Sequence, residues 1–209
     1  EDLSAQEFPG KLEFILVDDD SEDATSQIIQ ELSERDKRFI YETSTNGDAS
    51  LYYKKRALDA GINAAQNEWL LFTDVDCRVS SGWVAGMSGY FCSKNDYVIG
   101  HSNVKSENTL LNIFQSLDYF LLLVAARGTA NLGSAWACSG QNQAYRKSLY
   151  QKVGGFSRIK NQIQGDDSLF LNLCRKREKA VVVFADALLS HVTARQEKTW
   201  ISLVNQRLR

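Results

Sequence analysis

Asp74 and Asp76 stand one residue apart where the apolar run "WLLFT" (69–73) gives way to a polar turn. A carboxylate at the end of a buried strand must be solvated, paired or bound to a cation, because burying it bare costs several kcal/mol even after relaxation. At i and i+2 the pair can hold a hard divalent cation, Mg²⁺ or Mn²⁺, which keeps some waters and takes its remaining oxygens from a substrate phosphate. The other readings of the same residues are a solvated acidic turn and the nucleophilic Asp of a phosphohydrolase.

Two more acidic clusters carry chemistry of the same kind. In "VDDDSED" (17–23), Asp18, Asp20 and Glu22 alternate like the start of a calcium loop, but no Gly follows at the sixth position and no Glu at the twelfth, so an EF-hand is excluded. A helix-capping cluster or a nucleotide contact remains. "GDD" (165–167) is either a charged helix start or, beside a bound cation, a carboxylate that takes a proton from an incoming hydroxyl. His101 and His191 are the only histidines. His191, at another strand end, is a further candidate metal ligand, against the commoner structural role of a histidine. Lys198, Arg207 and Arg209 make the last helix basic, as a solvated face or as a clamp on pyrophosphate oxygens.

The elements that must position these groups follow from periodicity. "LEFILV" (12–17), "RFIYE" (38–42), "EWLLFT" (68–73) and "AVVVF" (180–184) read as strands. Helical patterns follow the first of them, with Ser21 or Asp23 as cap, and recur at "YYKKRALDAGINAA", "GDDSLFLNLCRKR" and "QEKTWISLVNQRLR". "QNQAYRKSLYQKVGGF" suggests a strand, a short helix and a Gly-Gly turn. Alternating strands and helices predict a parallel α/β sheet, whose ligands bind beyond the carboxyl ends of the strands; Asp18–Asp20 and Asp74/Asp76 then share one rim. Asn108–Ala126 carries a wide apolar stripe at helical spacing, which either packs on the core or faces a membrane or a further part of the protein.

With 209 residues, 44% of them hydrophobic and one Pro, the chain suffices for a single domain over 1–209. Its 24 basic and 26 acidic side chains are mixed along the sequence, which offers no polybasic face and argues against nucleic acid as a partner. Four widely spaced cysteines without a CxxC pair suggest reduced thiols in a cytosolic compartment. The longest uninterrupted apolar run, Tyr119–Ala126, is short for a membrane span, so the chain as given is expected to be soluble. "EDLSAQEFPG" reads as a loop, and the abrupt ends are those expected of a piece of a longer protein.

In order and spacing, "ILVDDDSED", "KKRALDAGI", "LLFTDVDC", "SGQNQAYRKSLYQKVGGF", "QGDDSLFLNLC" and "NQRLR" resemble the family-2 inverting glycosyltransferases of GT-A fold, especially the membrane-associated branch of cellulose-, chitin- and hyaluronan-synthase-like enzymes. The resemblance implies a Rossmann-like mixed, mostly parallel sheet flanked by helices. Its N-terminal half would bind the nucleotide and its C-terminal half the acceptor. It further implies that Asp18 and Asp19 contact the base and ribose of a UDP- or GDP-sugar and that Lys54 and Lys55 lie near the nucleotide. Asp76 and Asp74 hold Mg²⁺ or Mn²⁺ and the donor, and Asp167, after Asp166 where Glu is usual, is the general base. The stretch around Ser139 and Gly140 lines the side of a saccharide or lipid-linked acceptor. Gln206 and Arg209 match the start of QxxRW, whose Trp would be the next residue. Family members also carry an apolar strand before "VDDxS", centrally in the sheet, and only a loop precedes Leu12 here. The resemblance thus implies an extracted catalytic domain from the cytoplasmic face of the cell membrane, with its membrane segments outside this chain. Beside it stand two alternatives, a non-catalytic nucleotide-sugar-binding homologue and a DxD phosphohydrolase.

Overall fold

The computed structural model describes residues 1–105 and 107–208, the last three of these by backbone only. The β-rich run after the N-terminal loop forms β1 (Phe14–Asp18), and α1 (Thr25–Arg35) and β2 (Phe39–Thr43) follow. β1 and β2 pair in parallel, Phe14 opposite Phe39 and Asp18 opposite Thr43. The cap of α1 sits differently from the expectation: Ala24 occupies the N-cap position without a side-chain bond, and Asp23 Oδ1 accepts the Thr25 N–H at 2.9 Å from one residue further out.

α2 (Lys54–Ala64) leads to β3 (Trp69–Phe72), which runs directly into Asp74. Next come β4 (Arg78–Val79), α3 (Trp83–Ser88), β5 (Tyr97–Ile99), β6 (Ser102–Val104) and the long α4 (Leu110–Asn131). The second half consists of β7 (Gln143–Arg146), α5 (Lys147–Val153), α6 (Ser168–Glu178), β8 (Val182–Phe184), β9 (Val192–Ala194) and α7 (Trp200–Leu208). Three sheets result, β1-β2, β3-β7-β5-β8 and β4-β9-β6. The pairs β1·β2, β5·β8 and β6·β9 are parallel, and β3·β7, β5·β7 and β4·β9 antiparallel, so the architecture is mixed, with the two kinds in equal number. Among the described residues β1 pairs only with β2 and β3 only with β7, leaving one edge of each without a ladder.

The central sheet is covered on both faces, and its side chains alternate between two cores as strand geometry requires. Tyr97, Ile99 and Tyr145 enter one core with Phe156 and Phe170, while Val98 and Ala144 enter the other with Trp83 and Met87. In the first core Tyr145 and Phe170 lie 4.9 Å apart and Phe156 and Phe170 5.1 Å, separations at which tilted rings attract beyond their area. Asn142 is buried between the sheets and fully used: its Nδ2 donates to the His101 and Ser190 carbonyls at 2.7 and 2.8 Å, and its Oδ1 accepts from Trp83 Nε1 at 3.2 Å. A Cβ on Gly100 would come within 2.3 Å of that amide, which is why glycine stands there.

α4 begins where Thr109 accepts the Asn112 N–H, close to the expected start, and runs past Ala126 to Asn131. Leu123, Ala126 and Ala130 join the first core, while Leu110, Ile113, Leu117, Phe120 and Leu121 stay exposed. The helix is long and apolar enough to cross a membrane by length and composition, which the longest apolar run alone had not indicated. The four cysteines are unbridged.

Candidate functional site

At the carboxyl end of β1, Asp18 is buried and accepts from Ser26 Oγ at 3.0 Å, and that hydroxyl lies 2.9 Å from Tyr41 Oη. The other carboxylate oxygen, Oδ1, is buried with no partner among the described residues. Asp19 and Asp20 follow in an exposed turn, Asp20 in the left-handed region at φ 60°. An unpaired buried acceptor costs about 1–3 kcal/mol, so this oxygen is open to a donor from water or a ligand.

β3 delivers Asp74 to the first residue of α2. Lys54 Nζ donates to Asp74 Oδ1 at 2.9 Å and stands 3.4 Å from Asp166 Oδ2, so one ammonium joins the end of β3 to the residues entering α6. Burial alone would lower the Lys54 pKa, but Asp166 and Asp74 outweigh it and hold the amine firmly protonated. Gly165, at φ +105°, allows the turn into Asp166; a Cβ there would meet Leu169 at 2.4 Å. Asp167 is the N-cap of α6 and accepts the Ser168 N–H. Its pKa is raised, first by burial and then by the neighbouring Asp166, against backbone donors from Ser168 and Gly140 and the charge of Lys54. The segment around Ser139 and Gly140 passes close by: a Cβ on Gly140 would lie 3.3 Å from Asp166 Oδ2 and 3.4 Å from Lys54 Nζ.

Asp74, Asp166 and Asp167 are thus brought together around Lys54, with Gly140 beside them. Lys55 departs from the expected nucleotide contact. It is 2% exposed, and its ammonium donates to the backbone carbonyls of Gln162 and, at 3.0 Å, Gln164, because its place on α2 turns it inward beneath the 162–164 loop. His191 meets a second histidine. It stacks on His101, ring centroids 4.1 Å apart, and both imidazoles have pKa values lowered chiefly by burial. The side chain of Gln206 and the whole of Arg209 lie outside the described residues.

Sequence reasoning missed Asp59. Buried on α2, it accepts from Tyr150 Oη at 2.6 Å, the Asp48 N–H at 2.8 Å and Asn63 Nδ2 at 3.1 Å, holding the approach to Lys54 against α5. The only signal was a carboxylate on the apolar face of a helical pattern.

Among the described residues no three His, Cys, Asp or Glu side chains converge as a metal cage. The donor set still fits Mg²⁺ or Mn²⁺, which use one or two carboxylates and complete their shell from water and substrate phosphate. Asp76 is exposed and forms no ion pair among the described residues, its nearest polar contact being Cys77 Sγ at 3.8 Å. The Cys77 thiol is raised to about 11 by burial and by Asp76 and Asp74.

One solved structure with a similar fold is described as "Mannosyltransferase PcManGT from Pyrobaculum calidifontis in complex with GDP-Man and Mn2+". It is 19% identical, with a TM-score of 0.69 over 99% of this chain and 55% of that one. A second, described as "Crystal Structure of a Mycobacterial Protein", is 15% identical with a TM-score of 0.54, covering 91% and 59%. At these identities the likeness is one of fold, and the chain spans a little over half the length of either structure. No curated protein matches the sequence. The family described as "Glycosyl transferase family 2" matches residues 1–154, the stretch that holds Asp18, Lys54, Asp74, Asp76 and Gly140, and the chain belongs to that family.

Proposed function

We propose that this chain carries the catalytic site of an inverting glycosyltransferase that moves a sugar, of hexose type, from a UDP- or GDP-sugar to an acceptor hydroxyl. The observation that carries the reading is the ion-paired cluster of Asp74, Lys54 and Asp166, with the raised carboxyl of Asp167 at its side. Lys54 offsets part of the charge of Asp74 at the end of β3 and of Asp166 before α6, which cuts the repulsion that a diphosphate meets there. The orphaned Asp18 Oδ1 is an acceptor for a nucleoside hydroxyl. Asp76 and Asp74 would hold a divalent cation, which would supply compensation for the charge on the departing diphosphate. Asp167 takes the proton of the acceptor hydroxyl, whose oxygen bonds to the anomeric carbon as the carbon–diphosphate bond breaks on the opposite face. Direct displacement inverts the configuration. The closer placement, in the membrane-associated branch with the cellulose-, chitin- and hyaluronan-synthase-like enzymes at the cytoplasmic face of the cell membrane, belongs to the same proposal and rests on the sequence motifs.

Titrating GDP and UDP into the protein with Mn²⁺, then with EDTA, tests the donor site. The expected result is binding of one nucleotide that weakens at least about tenfold with EDTA or in Asp76→Asn. Equal affinity with and without metal, or in the variant, overturns the metal assignment.

The pH dependence of transfer has a definite sign. Asp167 acts as the carboxylate, so the rate rises with pH through an acidic limb displaced above the usual Asp value of about 3.9. Lys54 lowers the Asp167 pKa and Asp166 raises it. Lys54→Gln therefore moves the limb to higher pH and Asp166→Asn moves it to lower pH, both read from kcat against pH. Shifts in the same direction refute Asp167 as the titrating base.

A further inference from the structure

α4 turns most of its large apolar side chains outward. It buries Asn112, Gln115, Leu123, Ala126 and Ala130, whereas Ile113, Leu117, Phe120 and Leu121 are 55–60% exposed, with Leu110 and Val124 above and below them in the same stripe. Full burial of each such side chain is worth about 1.5–3 kcal/mol, and a contiguous patch of this size marks an interaction surface. The buried amides show that the orientation is specified. Asn112 Nδ2 donates to the Lys105 carbonyl at 2.7 Å, and Gln115 exchanges bonds with the backbone of Glu197 at 3.1 and 2.9 Å. Packed against β6 and β8 as well, the helix lies along the surface of the domain instead of leaving it.

The chemistry of the face selects its occupant. None of the six stripe side chains carries a hydrogen-bonding atom, whereas a protein interface makes about one hydrogen bond per 100–200 Å². A polar-tipped aromatic stands beside it: Trp200 of α7, half exposed, lies 5.4 Å from Phe114. That is the distribution of side chains at a hydrocarbon–water boundary. At the α4 start Lys105, Arg195 and Lys198 are exposed beside Glu107 and Glu197, a net positive rim for anionic head groups.

We propose that the outer face of α4, with the Trp200 turn of α7, rests in the plane of an anionic lipid surface. The surface lies close to the acceptor side of the site, because Tyr119 of α4 donates to Gln141 Oε1 at 2.6 Å, next to Gly140. Only that bearing on the acceptor rests on the proposed transfer; the docking stands on α4 itself.

Flotation of the protein with vesicles of phosphatidylcholine mixed with phosphatidylglycerol tests it, without nucleotide, so its failure is separable from a failed donor titration. Co-flotation is expected, with a blue shift of Trp fluorescence and quenching by brominated lipid. The exposed-site double variant Leu117→Glu/Leu121→Glu, its fold checked by circular dichroism, should lower partitioning by about tenfold or more. Absence of binding, binding that salt abolishes and the double variant leaves unchanged, or a dimer that protects α4 from hydrogen exchange in place of lipid overturns the proposal.

Discussion

Asp167→Asn is expected to lower kcat by about 10²–10⁴-fold while leaving nucleotide affinity within about threefold. Asn keeps a side-chain oxygen for the Ser168 N–H that Asp167 now accepts, so the start of α6 and the Gly165 turn stay in place. What the amide loses is the capacity to take a proton. Burial and Asp166 raise the Asp167 pKa, which strengthens it as a base, while Lys54 and two backbone donors favour the carboxylate. Single-turnover sugar transfer beside nucleotide titration separates the two effects. Full activity in Asp167→Asn would remove the residue from the chemistry, and a joint loss of binding and activity would assign it to the donor site.

Lys55→Met carries the second large effect, on stability and rate together. The ammonium is buried against the Gln162 and Gln164 carbonyls, with the Ile163 carbonyl 3.4 Å away. Hydrogen bonds to a charged group are worth about 1.5–3 kcal/mol, and carbonyls left unpaired cost more than the bonds contribute, so an overall loss of about 2–4 kcal/mol is expected in denaturant unfolding. The same loop leads into Gly165, Asp166 and Asp167. Loosening it should raise hydrogen exchange at 162–168 and lower kcat, with donor affinity nearly unchanged, because Lys54 and Asp74 do not depend on the Lys55 amine. A selective loss of nucleotide affinity with unchanged stability would restore Lys55 to the donor site.

Long elements and strand-end carboxylates were legible in the sequence. "FILVD" and "WLLF" are short apolar, aromatic-bearing runs that reach an aspartate within two residues of their ends, and each forms a strand with its aspartates at the carboxyl end. β4, β5, β6 and β9 were not legible, since two or three residues carry no period. Their places depend on partners far along the chain, such as Val192 opposite Val79 and beside Ser102. For α4 the stripe was visible but its direction was not: periodicity says that one face is apolar, and only the tertiary contacts, the Asn112 and Gln115 hydrogen bonds with the packing of Leu123, Ala126 and Ala130, decide which face turns inward.

The sequence by itself determined the family, the α/β alternation and the kind of residue at each end of the site, because these depend on local spacing and on the cost of burying charge. Only the tertiary structure decided that adjacent lysines part company, Lys54 to Asp74 and Asp166, Lys55 to the carbonyls beneath the loop. Consecutive residues on a helix point about 100° apart, and what each meets there is set by segments brought in from some twenty to more than a hundred positions away.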